Sequence, residues 1–290
     1  GNQRSGHTDS MSEATETGDW AVILGVSAGT GAAIARSLAR DAGLNIFGVH
    51  RGNHPEEAEA LRRDVEAAGR RCLFRVAEGG KADSVEAGAD ECAASLPPGA
   101  VHMLVHSLAN GSVGALVAPP GEPVLHPKQI TKTFESMAHS FVYWTNALLQ
   151  RRLFGPGARI LALSNPLGHT ILPQCGAIAA TKGALEVYVR YMAHALGPHG
   201  YRVNMLLFGA LETYALKTVM ADEEARVAAI RGVHERWAPG RRLVTAEEVA
   251  RFVSVLASDV AGWFNGAVID FSGAETLGYY HGLLSHEEGG

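Results

Sequence analysis

Apolar positions fall in two rhythms along the chain. Trp20, Ala21, Val22, Ile23 and Leu24 form an unbroken run closed by Gly25, the pattern of a strand buried on both faces. Ala32, Ala33, Ile34, Ala35, Leu38 and Ala39 continue as a helix-forming stretch of mostly small side chains, which lets that helix lie close to its sheet. Similar runs predict strands over 44–50, 71–77, 101–106, 158–164 and 266–271. Helices are predicted over 56–68, 83–95, 129–153 and 173–197, and another is opened by Thr245 as N-cap and runs to 258. The polar stretch 1–18 has no period and reads as a disordered tail, which leaves 19–290 as a single α/β domain. Residues 110–127, rich in Gly and Pro, are a candidate substrate-side flap, and 213–237 is expected to form a lid.

The turn after the first strand carries the first chemistry. Gly25-Val26-Ser27-Ala28-Gly29-Thr30-Gly31 is flanked by a strand and a helix, the context a dinucleotide-binding loop requires. Glycines there let the backbone turn tightly and let a pyrophosphate approach the free N–H groups and positive dipole of the helix N-terminus. The plain alternative is a tight turn with no ligand. The second strand runs out into His50-Arg51-Gly52-Asn53, where an NAD-binding chain would offer Asp or Glu to the ribose hydroxyls. Arg51 instead offers a charged fork of donors suited to a 2′-phosphate, with His50 beside it. That favours NADP(H) over NAD(H); the bland reading makes Arg51 a solvated loop residue.

Composition narrows the partners. With 47% hydrophobic and 19% charged positions in 290 residues, one large domain has enough apolar material for its core. A formal charge of -5 offers no basic surface to nucleic acid or an anionic membrane. Cys72, Cys92 and Cys175 are odd in number and lack paired spacing, so neither a disulfide framework nor a metal site is expected. No stretch approaches a membrane span, and no signal-peptide pattern opens the chain, so the expected location is cytoplasmic.

The G-x-x-x-G-x-G spacing resembles the short-chain dehydrogenase/reductase family. Residues further on resemble its enoyl-acyl-carrier-protein reductase branch. His106-Ser107-Leu108-Ala109 looks like that branch's His-Ser-Ile-Ala, and the run from Val189 to Asn204 is very similar to its counterpart. Phe208-Gly209-Ala210-Leu211-Glu212-Thr213 resembles Ala-Gly-Pro-Ile-Arg-Thr, and Arg241-Arg242-Leu243-Val244-Thr245 resembles Arg-Arg-x-Val-Thr. Arg75-Val76 stands where the family has Asp-Val. The resemblance spans 20–273 and implies a Rossmann-type, doubly wound α/β fold with a seven-stranded parallel sheet and helices on both faces. It also implies a homotetramer, and a small-molecule or acyl-thioester substrate, free or bound to a carrier protein. The cofactor site it implies comprises Gly25, Ser27, Gly29, Thr30, Gly31, His50, Arg51, Val76, Ser107, Ala109, Lys182, Leu211 and Thr213.

Reductases of this family use a Tyr to donate to the substrate oxygen and a Lys to bind the nicotinamide ribose and lower the phenol's pKa. Lys182 is present. The spacing Tyr-x-x-x-Lys lands on Ile178 and the spacing Tyr-x6-Lys lands on Cys175, so neither restores the tyrosine. Three readings stay open. The first is a working enoyl or keto reductase that uses another donor, such as Asn165, Ser164, His169 or Cys175. The second is a silent NADP(H)-binding homologue acting as sensor or partner subunit. The third makes Cys175 a nucleophile whose pKa falls near a helix N-terminus.

Overall fold

The computed structural model describes residues 19–211 and 224–277. Seven strands form one sheet: β1 (Trp20–Leu24), β2 (Asn45–His50), β3 (Cys72–Val76), β4 (Val101–His106), β5 (Phe154–Ser164), β6 (Arg202–Phe208) and β7 (Val268–Phe271). All pair in parallel in the order β3-β2-β1-β4-β5-β6-β7. The helices are α1 (Gly29–Asp41), α2 (Pro55–Ala67), α3 (Ala82–Ser95), α4 (Pro127–Phe134), α5 (Ser140–Gln150), α6 (Gly176–Leu196), α7 (Glu224–Trp237) and α8 (Ala246–Ala257). This is the Rossmann-type doubly wound arrangement expected from the sequence.

Alternation along the central strands sorts side chains between two cores. Trp20, Val22 and Leu24 of β1 meet Val85 of α3, Phe141 and Trp144 of α5 and Leu185 of α6 on one face. Ala21 and Ile23 meet Ile34 and Leu38 of α1, Leu61 of α2 and Val253 of α8 on the other. Burial on both faces explains why β1 reads as an unbroken apolar run.

Several elements depart from the sequence reading: β6 has no counterpart among the strands predicted from apolar runs, and α6 starts three residues later than predicted. The helix predicted over 129–153 is split by a π turn, Glu135–His139, between α4 and α5. Strand β5 begins earlier than predicted: Val101 pairs with Phe154 but Met103 pairs with Arg159, and Pro156 and Gly157 fall within this register shift. The tail 1–18, Thr213 and the first part of the expected lid lie outside the described residues.

Candidate functional site

Strand order reverses at β1 and β4, parallel neighbours whose following connections leave toward opposite sides of the sheet. Such a switch point opens a crevice at the carboxyl ends of the strands. A cavity of about 930 Å³ lies there, and Gly25, Ser27, Gly29 and Thr30 line it. Gly25 has φ +85°, and a Cβ on it would stand 2.5 Å from the Ser107 carbonyl oxygen. A Cβ on Gly31 would overlap the Gly25 carbonyl. Gly31 itself does not line the cavity; it lets α1 close against the turn, so that the α1 N-terminus faces the crevice.

The end of β2 forms one lobe of the cavity with His50, Arg51, Asn53 and His54. His50 is buried, stands edge-on to Phe74, and accepts from the Gly52 N–H at Nδ1 over 3.1 Å. Burial, reinforced by Arg62, pushes its pKa down, so the ring is neutral and carries its proton on Nε2. Arg51 is exposed and, among the described residues, has no carboxylate partner. The residues present therefore suit an anionic group at this lobe.

The wall after β3 is made by Ala77, Glu78, Gly79 and Gly80. Val76, expected at the cofactor, is 66% exposed and does not line the cavity. Arg75 pairs with Glu91 of α3. Trp144 of α5 fixes this wall by donating from its indole N–H to the Gly79 carbonyl over 2.7 Å. Gly88 makes room for that ring, since a Cβ there would stand 2.5 Å from it.

The substrate end joins Ser107, Leu108 and Ala109 after β4, Ser164 at the end of β5 and Asn165 after it, Lys182 on α6, and Leu211 after β6. Lys182 is buried, its Nζ donates to the Leu163 carbonyl over 3.3 Å, and burial pushes its pKa down to about 8. Asn165 accepts from the Leu167 N–H at Oδ1 over 3.2 Å, which assigns the amide orientation and leaves the two Nδ2 donors without a partner among the described residues. Ser164 is buried beside it, with only a 3.4 Å contact to the Asn165 carbonyl. Leu108, Met137, Leu172 and Ile178 give this end apolar walls.

A profile of the family described as enoyl-(acyl carrier protein) reductase matches residues 25–273. The chain belongs to this family, the enoyl-reductase-like branch of the short-chain dehydrogenase/reductases. Among its relatives, enoyl-acyl-carrier-protein reductase (NADH) FabI of Escherichia coli is 33% identical over 140 residues, which are 48% of this chain and 51% of that protein. The chain thus spans about half the length of that relative. The 1-cyclohexenylcarbonyl-CoA reductase of Streptomyces collinus is 27% identical over 256 residues, covering 88% of this chain and 86% of that one. A short-chain dehydrogenase from Burkholderia cenocepacia, solved in complex with NADP, superposes with a TM-score of 0.76 at 25% identity, covering 89% of this chain and 98% of that one.

The missing tyrosine has two possible positions, Ile178 by the ordinary family spacing and Cys175 by the enoyl-reductase spacing, and the fold separates them. Ile178 lines the cavity, on the same face as Lys182 one turn later. Cys175 is 1% exposed, does not line the cavity, and stands at the N-cap of α6 with φ -98° and ψ 14°, before the helix begins. Burial pushes its thiol pKa up, not down, so the reactive-thiol reading is corrected. His169 is corrected as well: its side chain is 62% exposed and bonded to Glu186 over 2.6 Å, outside the cavity lining.

Sequence reasoning missed Glu275, which is buried and lines the cavity from the turn after β7. A Cβ on Gly209 would overlap its carboxylate, so the glycine after β6 and this acid fit as a pair. A lone Glu in a loop gives no periodic signal from which to find it.

Proposed function

We propose that this protein is an NADP(H)-dependent reductase of an enoyl or keto thioester, with the Asn165 amide standing in for the absent phenol. The observation that carries the reading is that buried Lys182 and Asn165 line one cavity with the glycine turn, and that Asn165 uses its Oδ1 elsewhere. The bound nicotinamide would supply the hydride. Lys182 would bond its ribose hydroxyls, the turn from Gly25 to Thr30 would hold the pyrophosphate, and Arg51 with His50 would hold the 2′-phosphate. Thr213, Leu211, Ser107 and Ala109 belong to the same proposed cofactor site.

Adding a hydride to a C=C bond conjugated with a thioester leaves an enolate. Stabilising its oxygen is the main demand on the protein, and an amide N–H meets that demand without a titrating acid. The proton at carbon can then come from water. Apolar walls at Leu108, Met137 and Leu172 suit an acyl chain. Relatives named for reducing acyl thioesters support the substrate class. NADP(H) is preferred here because no acid follows β2, although one relative is named for NADH. A single domain over 19–290, a cytoplasmic location and a homotetramer complete the proposal.

Ile178 in the cavity favours a second reading, a silent NADP(H)-binding homologue. Following NADPH absorbance with crotonyl-CoA separates the two. As a reductase, wild type oxidises NADPH and Asn165→Ala slows it by roughly a hundred- to a thousand-fold, the usual loss on removing an oxyanion donor. If wild type binds NADPH without turnover on enoyl or keto thioesters, and Ile178→Tyr creates activity, the protein is a binder.

A further inference from the structure

Behind Lys182 lies a chain of buried polar groups that the proposed reaction does not use. His106 ends β4, is almost fully buried, and packs edge-on against Phe141 with ring centroids 5.6 Å apart. Its Nε2 is 2.8 Å from Ser140 Oγ, and that hydroxyl donates to the Ser136 carbonyl over 2.7 Å. A hydroxyl has one proton to give, and Ser140 has spent it. That assigns the ring proton to Nε2 and leaves the imidazole lone pair on Nδ1. Among the described residues Nδ1 has no hydrogen-bond partner. A buried acceptor in that state is costly unless something supplies a donor.

The sheet register points to the donor. His106 pairs with Ala162 across β4 and β5, and the next residue, Leu163, supplies the carbonyl that holds Lys182 Nζ. Ala162 joins the core that contains Phe141 and, from α6, Leu185 and Val189. The lysine stem and the imidazole thus reach the end of the sheet from the same side. The charge of Lys182 acts on the ring and, after burial, is the next cause keeping it neutral. An ammonium has three donors, and the Leu163 carbonyl takes one.

We infer that His106 is a positioning residue for Lys182: its Nδ1 lone pair is the second acceptor of the buried ammonium and aims the remaining donor at the cofactor ribose. The inference rests on the reading of Lys182 as a cofactor ligand. A direct bond and one bridging water would give the same coupling between the two residues.

The test is a double-mutant cycle on NADPH affinity in the full chain, using wild type, His106→Phe, Lys182→Met and the double variant. Each single change is expected to weaken NADPH about ten-fold, as for loss of a bond to a charged group, and the double variant to be no weaker than the worse single. His106→Asn, which keeps an acceptor near the place of Nδ1, is expected to retain most of the affinity. If Lys182→Met binds as wild type does, the cofactor-ligand reading falls and this inference with it. If Lys182→Met is weak but His106→Phe is unchanged, or its loss multiplies fully in the double variant, only the His106 inference falls. Should His106→Phe fail to fold, Ser140→Ala takes its place in the cycle and releases the ring tautomer. A loss absent in the Lys182→Met background then supports the inference, and a multiplicative loss overturns it.

Discussion

Arg51 and His50 divide the work at the end of β2. The histidine is buried and fixed by the Gly52 N–H, whereas the arginine is exposed and unpaired among the described residues. A 2′-phosphate would therefore meet its charge at Arg51 and a neutral donor at His50. Arg51→Ala is expected to weaken NADPH by about 1.5 to 3 kcal/mol, roughly ten-fold or more, and to leave NADH nearly unchanged. Equal losses for both cofactors in a titration would refute the selectivity argument. Lys182 gives a second expectation at this scale. Its folded pKa is about 8, against 10.5 for the free side chain. Between those values the unfolded chain binds more protons, so stability rises with pH across that window. Below it the buried charge costs the fold on the order of 3 kcal/mol. Urea unfolding from pH 7.5 to 10.5 should show wild type gaining on Lys182→Met, and parallel curves would count against a depressed pKa.

Elements were legible where one pattern decides them, and less so where a single residue shifts the frame. The strand, turn and helix from Trp20 onward could be read because small residues, glycines and an unbroken apolar run agree. The π turn at Glu135–His139 could not, because an apolar helix face looks much the same with one extra residue in a turn. Cys175 shows the same limit. Seven residues before Lys182, it would share the lysine's face if the helix began at 173, but α6 starts at Gly176 and Cys175 is its N-cap. Ile178, four residues before Lys182 and inside the helix, keeps that face. The start of α6 thus decides which spacing reaches the cavity. By contrast, Thr245 and Glu248 announce α8 correctly, since each satisfies the other's backbone N–H in a capping box.

At the scale of the whole molecule, the sheet order and the cavity at its switch point follow from alternating strands and helices. Glu275 was not legible, because it reaches the cavity only once β7 has returned to the sheet edge. No described helix is long and apolar enough to cross a membrane. On the outer face of α5 and α6, Tyr143, Val187 and Tyr191 are exposed, and Tyr188 of α6 meets His139, the last residue of the π turn before α5, over 2.9 Å. If that face meets symmetry mates, light scattering should report about four times the chain mass at micromolar concentration. A monodisperse monomer would refute the tetramer.

The indole of Trp144 is fully buried and bonded to a carbonyl of the cavity wall, whereas Trp263 is 93% exposed. Their emission therefore differs in colour: blue-shifted light from a dry, rigid ring and red-shifted light from one in water. Trp20 is buried too, but at the start of β1, the end of the strands away from the cavity. A dinucleotide lying on Gly79 would change the field felt by Trp144 through a single hydrogen bond and leave Trp20 and Trp263 almost untouched. The chain carries its own optical gauge of whether the cleft is filled.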